Sequence, residues 1–339
     1  MAIATTERLE SLLRGLTRRK PIVQAVIAVE TGDRSFRWVG TRGETSSGNR
    51  VLEDTPFLIA SIDKLYNATI ALLLSESGRL DVDKPIGAYL PSSVVRGLHR
   101  YRGADYSDRV TVRHLITHTS GLADWYEDCP KGGHSLFDDI LLQGDRAFSL
   151  EELAAYVRDT LTPHFPPQDL SGKRPKVRYS DAKFSLLTAI IEVVTALPLN
   201  EVHERMLYGP LGLQHTYFPG LSLPLAPTPE PMDLLVGGRP LSIPLLTKSA
   251  RGIYSTANDM ITFLRGLVQG DVFQTPGTLV SMLGAWHRFG FPLDRAAMRS
   301  PSWPIEYGTG VMRFRLPRLF TPMAPMPAVL GHTGSTGCW

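Results

Sequence analysis

Residues 57–85 read FLIASIDKLYNATIALLLSESGRLDVDKP, which sets Ser61 and Lys64 three positions apart at the mouth of an apolar run. Lysine is the side chain that water solvates most strongly, so its place one turn beyond a serine and just before a segment patterned for burial asks for a reason. Phe57 to Ala60 reads as a short strand and residues 65–74, LYNATIALLL, as a buried helix. Ser61 therefore stands at a strand-to-helix junction, where the side chains at i and i+3 share one helical face.

That spacing has a chemical logic. A serine hydroxyl is a weak nucleophile at neutral pH, and a lysine serves as its base where partial burial and nearby positive charge bring its pKa down from about 10. A serine in the first turn also has backbone N–H groups and the positive end of the helix dipole aimed at a developing oxyanion. The bare S-x-x-K pattern is cheap, however, and it recurs at Ser180-Asp181-Ala182-Lys183. Only the first copy lies at a strand-to-helix junction. The second overlaps a different stretch, RYSDAKFSLLTAIIEVV, in which the Tyr179 phenol can relay a proton if neighbouring cations hold its pKa down. By itself Tyr179 reads more simply as a helix-start tyrosine packed on the core. A third stretch, GHTGSTG, would line a strand edge with His332, Thr333 and Gly334 and expose the N–H of Ser335, its glycines letting a substrate approach the main chain. Alone it is a turn.

Around these motifs the chain has 339 residues, 43% of them hydrophobic, enough for a substantial core in two lobes or one large domain. A net charge of +3 gives no global signal for nucleic acid or an acidic membrane surface. The richest basic stretch, Arg96 to His114, is diluted by Asp105 and Asp108 and reads as a solvated loop. Two cysteines, Cys129 and Cys338, are too few for a disulfide framework and read as free thiols. His114 and His118 lie four apart, but no glutamate follows His114, and a structural role is favoured over a metal. No cofactor is called for. The N-terminal Leu9, Leu12, Leu13 and Leu16 recur at helical spacing in place of a signal-peptide core, and no stretch reaches the roughly 20 apolar residues of a membrane span. A soluble cytoplasmic protein is the expectation.

Residues 21–40 read as two strands joined across Thr31-Gly32-Asp33. The middle is helical, with Ser149 and Glu152 spaced for a capping box and Thr256 and Asp259 for another. Residues 219–244 form a proline-rich loop expected to skirt a pocket, and strands return at residues 307–316 and 328–334. Strands thus bracket a helical middle. The expected organisation is a discontinuous sheet domain, 1–64 with 245–339, and a mostly helical lobe over 65–244.

Taken in order, DTPFLIASIDK, GRLDVDKPIGAYLP, VTVRHLITHTSGL, RYSDAKFSLLTAIIEVVTALPL, LYGPLGLQHTYF and ARGIYSTANDMITFL make the chain, from about residue 20 to its end, resemble the serine β-lactamase and penicillin-binding-protein-like superfamily. The similar branch contains class C β-lactamases, D-amino-acid peptidases, family VIII carboxylesterases and related acyltransferases. The resemblance implies an α+β fold, an antiparallel β-sheet flanked by helices with an inserted mostly helical lobe. It implies Ser61 as the acylated nucleophile, Lys64 as its base, Tyr179 as second proton carrier, and the N–H groups of Ser61 and Ser335 as oxyanion hole. Asp181 takes the third place of Y-x-N, and His332-Thr333-Gly334 the place of K-T-G or H-T-G, as substrate-binding residues. The strands and closing helix that relatives carry after that position are missing from the 339 residues, so an open sheet edge is expected.

The match departs from the pattern at two side chains. Asp181 can only accept where the usual asparagine donates, which weakens a penicillin or peptide reading and suits a small ester, a lactone or a substrate bearing an amine or hydroxyl. His332, largely neutral at pH 7, removes a cation that would anchor a carboxylate. The implied activity is that of a carboxylesterase-like serine hydrolase acting through an acyl-enzyme on a small ester or amide. Acyl transfer to an alcohol or amine, β-lactamase or D-amino-acid peptidase activity, and a catalytically silent binding or assembly member are the alternatives.

Overall fold

The leucines at helical spacing near the N-terminus form the first element of the computed structural model, which describes residues 2–18, 22–172, 174–288, 305–315 and 327–335. Cys338 and the strand end at Leu316 lie outside the described residues. Helix α1, Ala2–Thr17, buries Leu13, half-buries Leu9 and Leu16, and leaves Leu12 outside. It packs on strands β1 (Ala25–Glu30) and β2 (Arg37–Arg42), an antiparallel pair running from Ala25 opposite Arg42 to Glu30 opposite Arg37. The helix meets β2 at Gly40, where an added Cβ would lie 2.4 Å from the Trp38 ring and 2.8 Å from Leu13. Asp33 closes the connecting turn by accepting from the N–H and Oγ of Ser35.

The chain divides into two compact units, 1–60 with 203–272 and 334–339, and 61–202 with 273–333. In the first, β3 (Phe57–Leu58) pairs antiparallel with Tyr254–Ser255. The helix Ala257–Gln269 packs on β1, where Arg265 pairs with Glu30. Thr256 caps this helix by accepting from the N–H of Asp259, but the Asp259 carboxylate turns to Thr216 and the N–H of His215, so only half of the expected capping box forms. Within the proline-rich loop, Asp233 and Glu230 hold the segment down through Gln24, Ser46, Ser47 and Asn49. Met232 to Leu234 line a cleft of about 350 Å3 with Gln24 to Val26 and with β3.

The second unit is built on helix α2, Asp63–Glu76. Leu65, Tyr66, Ala68, Ile70, Ala71 and Leu74 of this helix are buried at 1% exposure or less, each large one worth about 1.5–3 kcal/mol of transfer from water. The helix packs against Asp181–Thr195, which in turn contacts Leu150–Thr160 and Val112–Ile116. Ser149 and Glu152 make the capping box that their spacing predicts. A four-stranded antiparallel sheet runs in the order 329–331, 312–314, 305–307, 287–288, with Met312 between Gly331 and Tyr307. All strand pairings among the described residues are antiparallel, so the α+β architecture is observed, its sheet in separate pieces. Among the described residues no single helix is long and apolar enough to cross a membrane.

One turn ties this sheet to α2. Gly310, at φ +70°, donates its N–H to the Ile116 carbonyl, and a Cβ there would stand 2.1 Å from the Ala68 Cβ and 3.2 Å from the Lys64 carbonyl oxygen. A left-handed backbone and a clash against a packed helix act together at this position. Gly310→Ala is therefore expected to destabilise the protein by at least about 2 kcal/mol, read as a lowered urea midpoint at unchanged slope.

Candidate functional site

Ala60, at φ +46°, bends the chain sharply after β3, and Ser61 follows in a short 3-10 turn, Ala60–Ile62, leading into α2. A non-glycine residue in the left-handed region is uncommon and gathers where function requires it. The turn leaves Ser61 half-buried and places Lys64 on the same face, its Nζ 3.1 Å from the Ser61 Oγ. Lys64 is only 2% exposed.

The partner that permits this burial comes from 117 residues away. Asp181, the first residue of the Asp181–Thr195 helix, accepts from Lys64 Nζ at 2.5 Å through Oδ1. Asp63 Oδ1 lies 3.9 Å from the same nitrogen, and the ring of Tyr179 5.1 Å away. Burial pulls the Lys64 pKa down, but Asp181, Tyr179 and Asp63 together outweigh it and hold the group well above the ordinary lysine value. The expected depressed lysine is thus not what the resting site contains. Carboxylates surround Lys64 where neighbouring cations were expected, so it is an ammonium. Burial correspondingly pushes the Asp63 carboxyl up to about 7 against the pull of Lys64.

Burial pushes the Tyr179 phenol up, and the nearby Lys64 charge pulls it back only in part. The phenol is neutral. His118, fully buried at φ +57°, stacks its ring on Tyr179 at 4.4 Å and meets Tyr307 at 4.5 Å. His332 donates Nδ1–H to the Thr333 carbonyl at 2.6 Å, which leaves Nε2 to accept from the Tyr307 hydroxyl at 3.2 Å. Burial and then Lys64 lower the His332 pKa, so the ring is neutral, as expected for this position. Thr333 is exposed, its hydroxyl 3.5 Å from the Met312 sulfur, and exposed Gly334 and Ser335 belong to the first unit. Ser61, Lys64, Tyr179, Asp181 and His332 are therefore brought together in the second unit.

Three contributors are not marked by residue patterning. Asp63 is only a spacer position in S-x-x-K. Tyr307 lies in a predicted strand, and nothing local marks it, because its partner His332 lies 25 residues on. Asp124 is 1% exposed, and its Oδ1 accepts from the backbone N–H of Asp181 at 2.8 Å, fixing the start of the helix that carries the ion pair. Burial first, then the nearby Asp181 and Asp128, push the Asp124 carboxyl up to about 7.

The second S-x-x-K copy is structural. Ser180 is fully buried and donates to the Ala123 carbonyl at 2.9 Å, while buried Lys183 donates to the Arg178 carbonyl. Burial brings Lys183 down to about 7, so the lysine with a depressed pKa belongs to this copy. His114 is structural too: Nδ1 accepts from the Thr111 N–H at 3.0 Å, so protonated Nε2 donates to the Gln168 carbonyl at 2.8 Å. No group of metal-ligating side chains gathers among the described residues.

The family model described as Beta-lactamase matches residues 9–339. Esterase EstB of Burkholderia gladioli is 26% identical over 92% of this chain and 81% of its own length. The D-alanyl-D-alanine-carboxypeptidase/endopeptidase AmpH of Escherichia coli is 23% identical over 74% of this chain and 58% of its own. Among solved structures, a D-stereospecific amidohydrolase from Streptomyces sp. superposes with a TM-score of 0.69 at 28% identity, covering 99% of this chain and 87% of that one. The D-amino acid amidase of Ochrobactrum anthropi shares the fold at a TM-score of 0.70 and 21% identity, over 96% and 83% of the two chains.

If Ser180 serves only the scaffold, Ser180→Ala leaves the Ala123 carbonyl without its partner and lowers stability by about 1–3 kcal/mol. Labelling of Ser61 by a fluorophosphonate, read by intact mass on folded protein, should persist in this variant.

Proposed function

We propose, from the premise that the chain belongs to the beta-lactamase family, that it is a serine hydrolase forming an acyl-enzyme on Ser61 from a small ester or amide. The observation that carries this reading is the 3.1 Å contact of Ser61 Oγ with a buried Lys64 Nζ at a strained strand-to-helix turn. The relatives, named as an esterase, a carboxypeptidase and an amidohydrolase, fit a carboxylesterase-like or amidase-like hydrolase. An acceptor-only Asp181, where β-lactamases and peptidases of the family carry asparagine, favours an ester or amide without an acylamido group.

Catalysis would run in two halves. Ser61 Oγ attacks the carbonyl carbon as its proton passes to Lys64 in the unprotonated form. The tetrahedral oxyanion is held by the Ser61 N–H at the head of α2. Tyr179, whose ring lies 5.1 Å from Lys64 Nζ, carries a proton from Lys64 to the leaving oxygen or nitrogen as that bond breaks. Water, deprotonated by the same pair, then attacks the ester on Ser61 and restores the hydroxyl.

The resting charge of Lys64 has a kinetic consequence. Its ammonium must lose a proton before it can accept one from Ser61. A pKa held above the ordinary value moves the competent form to higher pH, and the coupled groups around it are Asp63, Asp181, Tyr179, Tyr307, His118 and His332. On a neutral substrate such as p-nitrophenyl acetate, kcat/KM corrected for spontaneous hydrolysis should keep climbing through pH 9, with no plateau near neutrality. A bell centred on pH 7 would contradict the assignment. Ser61→Ala should abolish fluorophosphonate labelling and lower ester turnover by roughly three orders of magnitude or more. Lys64→Ala should lower it by about 10²–10⁴-fold. Folded Ser61→Ala protein with wild-type activity would end the proposal.

A further inference from the structure

We propose that Asp181 is the docking point for a cationic amine of the substrate, and that seating this ammonium there frees Lys64 to act as base toward Ser61. The inference rests on the serine-hydrolase reading above and names its substrate class, a small amide or ester with a free amine next to the scissile carbonyl.

The geometry of the carboxylate is the starting point. Oδ1 of Asp181 holds Lys64 Nζ at 2.5 Å, and among the described residues Oδ2 has no hydrogen-bond partner. The Asp181 side chain is 23% exposed while that of Lys64 is 3% exposed, so the carboxylate faces Lys64 on one side and opens outward on the other. Ionised, it accepts only, and the groups that satisfy an open carboxylate are N–H and O–H donors, an ammonium best of all. A substrate carbonyl or carboxylate would meet repulsion there. His332, neutral and already engaged with Tyr307 and Thr333, supplies no cation that would reverse this preference.

Position narrows the class further. Lys64 Nζ touches both Ser61 Oγ, at 3.1 Å, and Asp181 Oδ1. The attacked carbonyl and the docked amine are therefore bridged by a single nitrogen atom, which suits an amine one carbon removed from the carbonyl, as in an amino-acid amide or ester. An amine at the end of a long chain would overshoot.

Docking also changes what Lys64 can do. In the empty site the ammonium has Asp181 to itself. A second cation on the same carboxylate raises the free energy of the protonated lysine, and like charges at this separation in a buried setting disfavour each other's ionisation. Lys64 releases one proton to solvent and becomes an amine. It then takes the Ser61 proton as the Oγ–carbon bond forms, and through Tyr179 returns it to the departing nitrogen or oxygen as the bond to the acyl carbon breaks.

The test compares alanine p-nitroanilide with its N-acetyl derivative, in both enantiomers, with p-nitrophenyl acetate as neutral ester, on the full chain at pH 7. The expected result is at least tenfold higher kcat/KM for the free amine in one enantiomer or both, with a rise in kcat as well as a fall in KM. In Asp181→Asn, folded by circular dichroism, the preference should collapse to unity or invert, with a gain on p-nitrophenyl acetate as Lys64 loses the partner that keeps it charged. Equal rates for free and acetylated substrates in the wild-type protein would overturn the proposal without any variant, as would a preference that survives in Asp181→Asn. Ester turnover and Ser61 labelling with no amine preference sink only this inference. Absence of both sinks the hydrolase reading beneath it.

Discussion

The ion pair between Lys64 and Asp181 governs how the site can exist at all. A lysine that is 2% exposed would shed its proton or unfold its surroundings without a counter-charge, since removing one partner of a buried pair costs about 3–5 kcal/mol. Asp181 supplies that counter-charge at 2.5 Å, and Asp63 adds a weaker one at 3.9 Å. On the proposed mechanism, the same contact that makes burial tolerable also silences Lys64 as a base, because an ammonium has no lone pair for the Ser61 proton. Stability of the resting site and readiness for catalysis therefore pull Lys64 in opposite directions, and whatever weakens its hold on Asp181 tips it toward chemistry.

Much of the second unit serves to keep this pair in place. Helix α2 carries Lys64 into the interior at one end of an almost wholly buried run, with Ser61 in the 3-10 turn just before it, and Gly310 lets the strand hairpin close against the first turns of the helix. From the other side, Asp124 holds the first amide of the helix that bears Asp181, and Ser180 anchors the preceding residue to Ala123. Tyr307, His118 and His332 build an aromatic wall around Tyr179, with the Thr333 carbonyl setting which His332 nitrogen carries the proton. Two buried lysines thus live under opposite conditions. Burial brings Lys183, which donates to a backbone carbonyl, down to about 7, whereas the carboxylates at Lys64 outweigh its burial and raise it.

What could be read in the amino-acid order was local or patterned. The strand, bend and buried helix around Ser61 follow from a change of hydrophobic period within twenty residues, and the Ser149 capping box from a three-residue spacing. The order of several weak motifs located Tyr179, Asp181 and His332, and these do converge with Lys64 in one unit. The sign of the Lys64 shift was beyond reach, because it depends on which charge lies opposite, and that charge is 117 residues away. The strand-to-helix context points to the first copy of S-x-x-K for the depressed lysine, whereas it is Lys183 of the second copy that is lowered. Tyr307 and Asp124 escaped for the same reason: each acts through a partner brought near only by the fold.

The central claim, an ammonium held charged beside the nucleophile, is tested most directly by following Lys64 itself. Protein labelled with nitrogen-15 at the lysine Nζ, with Lys64→Arg used to assign the resonance, can be titrated by NMR in the absence of substrate. The account requires Lys64 to remain an ammonium past the ordinary lysine value of 10.5. A Lys64 resonance that titrates near neutrality would show an amine already free to act and would contradict it.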